Sequence, residues 1–173
     1  VMWVKGSGWD LATIEAQGLP ALDLEALRAL RALDEMSDEE MVREVKRCML
    51  DGSGPTPSIE TLLHAFLPHA FIDHSHANAI LAISNRDNGE ELCRELYGNR
   101  VIYLPWIMPG FPLAKAVADA FDAQPDAIGA LLHKHGLFTW GDTADEALDR
   151  HRELVGIAAD HYKEERSTLL ASS

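Results

Sequence analysis

Two imidazoles stand two residues apart in Phe71-Ile72-Asp73-His74-Ser75-His76-Ala77-Asn78, just after an apolar pair. If this segment is a strand, alternate side chains share a face, so His74 and His76 project together and can share one metal ion. A catalytic zinc typically takes three protein ligands, with imidazole nitrogens at about 2.0–2.1 Å, and keeps one position open for water or substrate. The pair therefore needs a third member; a solvated strand face carrying two polar residues is the other reading of the same spacing. Ala130–Trp140 reads as a second apolar strand that again carries histidines two apart, His133 and His135. Gly136 permits a bend or bulge directly after His135, which would turn that side chain toward a neighbouring strand.

Two further stretches could hold an anion. Pro57-Ser58-Ile59-Glu60 enters a helix running on through Thr61, Leu62, Leu63 and Phe66 to Leu67. Free N–H groups and positive partial charge gather at a helix start, and Ser58 adds a hydroxyl. Glu60, by position alone, is a first-turn carboxylate favoured by the helix dipole, with His64 one turn further along the same face. Near the amino end, Lys5-Gly6-Ser7-Gly8-Trp9-Asp10 is a glycine turn whose backbone can approach a phosphate closely, although most such turns are only turns. It matches neither a dinucleotide fingerprint nor a P-loop.

Strands and helices must position these groups. Val1-Met2-Trp3-Val4 reads as a strand entered in progress, so a preceding segment is expected. Leu24, Leu27, Leu30 and Leu33 are spaced for a short amphipathic helix. Ser37-Asp38-Glu39-Glu40 forms a capping box opening a helix to about Leu50, with Val42, Val45 and Met49 inward and its charged face solvated. Asp51–Pro57 is the clearest loop. After the histidine strand come helices over Ala77–Ser84 and Glu90–Tyr97, a strand Arg100–Leu104, a proline-broken loop with Trp106-Ile107-Met108, and a helix Leu113–Asp122. The apolar loop residues suit a pocket, a subunit contact or plain core burial. Thr143-Ala144-Asp145-Glu146 caps a long last helix with Leu148, His151, Val155, Ala158 and Tyr162 as its inward stripe. On this reading His151 and His161 are surface or packing residues, and Ala171-Ser172-Ser173 is a frayed tail.

Composition bounds the function. A chain of 173 residues, 47% hydrophobic and 25% charged, suits one globular domain. A net charge of −13 opposes general attraction to nucleic acid or anionic membrane, so an anionic substrate needs a local site. Cys48 and Cys93 form no Cys-x-x-Cys, which points to a reducing, cytoplasmic setting without a thiolate metal site. No apolar run of about 18 residues and no signal-peptide pattern is present.

Taken together, Pro57-Ser58-x-Glu60 at a helix start, His74-x-His76 on a strand and His135-Gly136-Leu137 resemble the class II aldolase/adducin family over nearly the whole chain. Within it, Trp3–Leu11, Glu60–Leu67, His135–Phe138 and Gly141-Asp142-Thr143 look most like the aldolase half of bifunctional rhamnulose-1-phosphate aldolase/short-chain dehydrogenase proteins. The resemblance implies a three-layer α/β/α sandwich with a mostly antiparallel central sheet, as a single domain over 1–173 lacking its N-terminal segment. It implies a homotetramer with active sites between subunits. It assigns His74, His76 and His135 as zinc ligands, with His133 as rival for the third place, and Glu60 as acid/base. Ser7, Gly8 and Ser58 fall on substrate-phosphate positions. The family's Gly- and Asn-containing phosphate loop would lie before Val1, and Ile59 stands where a second serine is usual. The implied activity is zinc-dependent retro-aldol cleavage of a rhamnulose- or fuculose-type ketose 1-phosphate. Sugar-phosphate 4-epimerisation, dehydration of a thio-sugar phosphate and a noncatalytic adducin-like binding module are the alternatives.

Overall fold

The computed structural model describes residues 1–171. The chain divides into two compact units: Val1–Pro68 with Met108–Asp119, and His69–Ile107 with the remainder from Ala120 onward.

In the first unit, β1 (Met2–Trp3) pairs antiparallel with β2 (Ala21–Leu22). Helix α1 (Leu24–Ala29) starts where the Asp23 carboxylate accepts from the Ala26 N–H at 3.1 Å. Of the four spaced leucines only Leu24 and Leu27 lie within α1, and only Leu27 is buried. Helix α2 (Asp38–Arg47) carries the expected capping box, Ser37 and Glu40 each satisfying the other's backbone N–H. Its inward residues are Met41 and Val45, whereas Val42, expected inside, is 41% exposed; the i, i+4 pair one residue earlier faces the core. Helix α3 (Thr61–Phe66) is short, and Glu60, expected in its first turn, is instead its N-cap residue, with no side-chain cap hydrogen bond. Its carbonyl end is satisfied by Arg28, which donates to Ala65 O at 3.1 Å and Leu67 O at 3.3 Å, so this arginine is a structural cap.

The second unit is built on a four-stranded sheet in the order β3–β6–β5–β4, with β3 (Phe71–Ser75), β4 (Val101–Leu104), β5 (Gly129–Leu132) and β6 (Gly136–Gly141). The β3–β6 and β6–β5 pairings are antiparallel and β5–β4 is parallel, so the sheet is mixed with antiparallel pairing in the majority. The parallel pair is joined through a helical crossover, α6 (Phe111–Ala123), as a parallel connection requires. Ala130–Trp140 is not one strand but a tight hairpin. Leu132 pairs Gly136, and His133-Lys134-His135 make the turn with Lys134 in the left-handed region at φ 57°. Gly136 is therefore the first residue of β6 rather than a bulge.

Helices α4 (Asn78–Ser84), α5 (Gly89–Tyr97) and α7 (Ala144–Ala171) pack with this sheet around Ile80, Ile83, Leu92, Leu131, Leu137, Leu154 and Ala158. The inward stripe of α7 is Ala147, His151, Leu154 and Ala158; Leu148 and Tyr162, expected inside, are exposed. Thr143 caps α7 as expected, its hydroxyl accepting from the Glu146 N–H at 3.1 Å. The expected frayed tail lies, at Ser172 and Ser173, outside the described residues, while Ala171 closes α7. Trp106 and Met108 are exposed, which rules out core burial for these two loop residues. Among the described residues no helix is long and apolar enough to cross a membrane. Cys48 and Cys93 are free thiols.

Candidate metal centre

A strand has two faces, and β3 uses them for different purposes. His74 pairs across the ladder with Phe138 of β6, so both side chains stand on one face, while Ser75 and Leu137 occupy the other, against which α7 packs. The His74 ring stacks on Phe138, with centroids 3.9 Å apart and planes 15° apart, and its Nδ1 lies 3.0 Å from Leu137 O. A carbonyl only accepts, so Nδ1 carries the proton and Nε2 keeps its lone pair. Ligand histidines commonly have their tautomer fixed in this way.

His76 lies one residue past the end of β3, exposed, and its Nε2 is 3.0 Å from His74 Nε2. His135 reaches the same place from the hairpin turn. Its ring centroid is 5.2 Å from that of His74 and 5.1 Å from that of His76. The ligand-capable atoms of the three residues lie within 4.8 Å of one another. Two nitrogens facing at 3.0 Å need either a shared proton or a shared cation between them. Three converging imidazoles, one with its tautomer already set, are a donor set that fits a divalent transition metal.

Gly136 makes this convergence possible. A Cβ there would sit 2.5 Å from Ser75 O, 2.9 Å from His76 Cδ2 and 3.0 Å from His74 Cε1. The glycine after His135 thus serves close approach of the β3 histidines to β6, which the sequence alone suggested only as backbone freedom. His133 is not among the converging group. Its Nδ1 meets Tyr103 Oη at 2.7 Å, so His135 is the member that joins His74 and His76.

The remaining site candidates belong to the first unit. There the Lys5–Ser7 segment lies alongside Thr56–Ser58. Gly6 bridges Pro57, Ser7 N–H donates to Thr56 O at 2.7 Å, and Ser58 N–H donates to Lys5 O at 3.0 Å. This two-rung ladder brings together the turns carrying Ser7, Gly8 and Ser58. Ser7 and Gly8 are exposed, and Ser58 Oγ accepts from the Glu60 N–H at 3.3 Å. Glu60 follows at the head of α3.

Sequence reasoning missed a group behind the histidines. His151 of α7, read as a surface or packing residue, places Nε2 2.6 Å from Ser75 Oγ and Nδ1 2.9 Å from Thr139 Oγ1. Burial, and secondarily the nearby His74, push its pKa down to about 4, so the ring is neutral at pH 7. Ser75 and Thr139, hydroxyl residues on paired strands, were the available signal.

The family described as the Class II Aldolase and Adducin N-terminal domain matches residues 1–162. A protein named uncharacterized oxidoreductase YuxG, from Bacillus subtilis, is 45% identical over 164 residues, which cover 95% of this chain and 24% of that protein. Methylthioribulose-1-phosphate dehydratase of Yersinia enterocolitica is 34% identical over 124 residues, 61% of this chain and 58% of that enzyme. The chain therefore spans less than two-thirds of either relative's length. Among solved structures, the N-terminal Class II Aldolase domain of a conserved protein from Thermoplasma acidophilum superposes with a TM-score of 0.86 at 44% identity, covering 91% of this chain and 73% of that one. With its mixed helix-and-sheet architecture and a match running through both compact units, the chain belongs to the class II aldolase/adducin family.

Proposed function

We propose that this chain is a zinc-dependent lyase acting on a rhamnulose- or fuculose-type ketose 1-phosphate, cleaving it to dihydroxyacetone phosphate and an aldehyde. The observation that carries the reading is the convergence of His74, His76 and His135 within 4.8 Å from two separate segments. These three hold the ion; His74 is oriented by Leu137 O and His135 by the hairpin turn. When bound, zinc supplies Lewis acidity toward the substrate carbonyl and its neighbouring hydroxyl, where negative charge develops. The C4 hydroxyl gives up its proton to water as its C=O forms, the C3–C4 bond breaks with its electron pair going to C3, and the Glu60 carboxyl delivers a proton to that carbon, a role typically contributing 10²–10⁴-fold. Ser7, Gly8 and Ser58 seat the phosphate through hydroxyls and backbone N–H groups on the paired turns. No lysine Schiff base is needed, and Lys134 has no part in the step.

Several finer points belong to the same proposal. The family match through both units supports one domain over 1–173. Kinship with the aldolase half of bifunctional rhamnulose-1-phosphate aldolase/short-chain dehydrogenase proteins, a homotetramer and a cytoplasmic setting are also part of it. A second reading is favoured by the 34% identity to methylthioribulose-1-phosphate dehydratase: the same residues would dehydrate a thio-sugar phosphate. The test is metal analysis of the purified protein, then incubation of the zinc-loaded form with rhamnulose, fuculose, ribulose and methylthioribulose phosphates. Release of lactaldehyde with dihydroxyacetone phosphate supports the lyase. Water loss from the thio-sugar alone transfers the proposal to the dehydratase, and an epimerised product removes cleavage from it.

A further inference from the structure

We propose that His151 is a positioning residue for the metal centre, fixing Ser75, the residue between His74 and His76, through a directed chain of hydrogen bonds that ends on the backbone of α7. This rests on the reading of His74, His76 and His135 as ligands.

The direction of the chain follows from counting protons. The Ala147 carbonyl can only accept, and Thr139 Oγ1 donates to it at 3.1 Å. With that proton committed, Thr139 Oγ1 faces His151 Nδ1 at 2.9 Å as an acceptor, so Nδ1 carries the ring proton. A neutral imidazole has only one, so Nε2 offers a lone pair to Ser75 Oγ, whose hydroxyl donates at 2.6 Å. Reversing the tautomer would break the Thr139–Ala147 bond. Thr139 is fully buried, and no water is needed to complete the chain.

Its consequence falls on His76. The β3–β6 register ends at Ser75 opposite Leu137, one residue before His76. On the ligand face His74 has the Leu137 carbonyl and the Phe138 ring. On the opposite face the Ser75 side chain is fastened to His151, while the Ser75 carbonyl lies against Gly136. Without the His151 anchor, Ser75, the residue between the two ligands, loses its side-chain hydrogen bond on the face opposite them. Residues that orient ligands from behind typically change metal affinity by roughly 10–100-fold when replaced.

Two measurements test this. In the metal-free protein, long-range ¹⁵N NMR of histidine should show His151 as the Nδ1–H tautomer; the Nε2–H tautomer overturns the chain. Zinc affinity is then measured by competition with a chromophoric chelator, alongside thermal melting. Ser75→Ala and His151→Phe should each weaken zinc by roughly 10–100-fold, and the double variant no more than either alone. His151→Gln, whose amide oxygen can accept the Ser75 proton, should recover most of that affinity. A purely structural role would instead lower the melting temperature and leave affinity unmoved. Affinities within twofold of wild type for Ser75→Ala overturn the positioning role, even should His151→Phe fail to fold. A wild-type protein that takes up no zinc overturns the ligand reading, and the tautomer still reports separately on the chain itself.

Discussion

The histidine centre and the paired glycine–serine turns are held in very different ways. His74, His76 and His135 converge from the end of β3 and the β5–β6 turn, His74 held by a stacked ring and a carbonyl partner, with a glycine-sized gap at Gly136 against both β3-side histidines. Ser7, Gly8 and Ser58 rest on two short rungs between loops, and Ser7 and Gly8 are open to solvent. Metal coordination tolerates little error in ligand position, whereas a phosphate accepts hydrogen bonds from many directions. On the proposed reading, the more closely packed region takes the ion and the more open one takes the substrate phosphate.

The sharpest way to break this division is by substitution on either side of it. His76→Ala should abolish zinc binding, by about 10³-fold or more in affinity, since two imidazoles cannot complete a three-ligand site. Glu60→Gln should keep the zinc and lose about 10²–10⁴-fold in turnover. Inductively coupled plasma metal analysis beside a lactaldehyde-release assay reads both. Equal activity of Glu60→Gln and wild type would remove Glu60 from the chemistry.

A smaller effect tests the glycine-sized gap. Gly136→Ala puts a Cβ against the Ser75 carbonyl, backbone that cannot swing aside, and overpacking of this kind costs about 1–3 kcal/mol. Zinc affinity should fall with it, because the displaced segment carries His74 and His76. Urea unfolding with chelator competition measures the two together; a variant that binds zinc normally would show that the crowding is absorbed elsewhere.

Acid should also separate the regions. His151 has a folded pKa of about 4 against an ordinary 6.5, so between these values the unfolded chain binds more protons. Stability from this group is fully present above pH 6.5 and is lost as pH falls toward 4, an effect on the order of 2 kcal/mol. In the first unit, Glu40 is held below its ordinary 4.5, first by the Ser37 backbone N–H, so its contribution disappears only under that pH. Urea titrations of metal-free protein at pH 7 and 4.5 should differ for wild type and much less for His151→Phe.

What the sequence revealed was mostly local. The helix caps of Ser37 with Glu40 and Thr143 with Glu146 depend on residues three apart and were found as they stand. His74-x-His76 was legible for the same reason, even though His76 lies beyond the strand. The hairpin was not legible. Residues 130–140 are almost uniformly apolar apart from the two histidines and Lys134, and the left-handed turn residue is a lysine where glycine or asparagine would have signalled it. On α7 the large apolar Leu148 and Tyr162 drew the inward stripe to the wrong face, because buried alanines such as Ala147 and Ala158 carry little hydrophobic signal. His151 acquired its meaning only when Ser75 and Thr139, distant in sequence, were brought beneath it.

The smallest predicted effects compare two positive-φ positions, one in each region. Gly8 sits at φ 81° with open space around it, nothing lying within 4 Å of where a Cβ would stand. Gly8→Ala therefore meets only the intrinsic left-handed penalty, about 1 kcal/mol, and should leave zinc affinity untouched. Lys134 bears that penalty already at φ 57°, and it stands between His133 and His135 in the turn that delivers the third ligand. Lys134→Gly relieves the strain but loosens the unfolded chain, so the net gain should stay below about 1 kcal/mol. Lys134→Asn, which tolerates the left-handed region with less added chain entropy, should gain at least as much. Melting curves for the three variants decide the point. Destabilisation by Lys134→Asn would mean that the lysine side chain itself supports the turn, and the rigidity of the histidine region would then depend on more than its backbone.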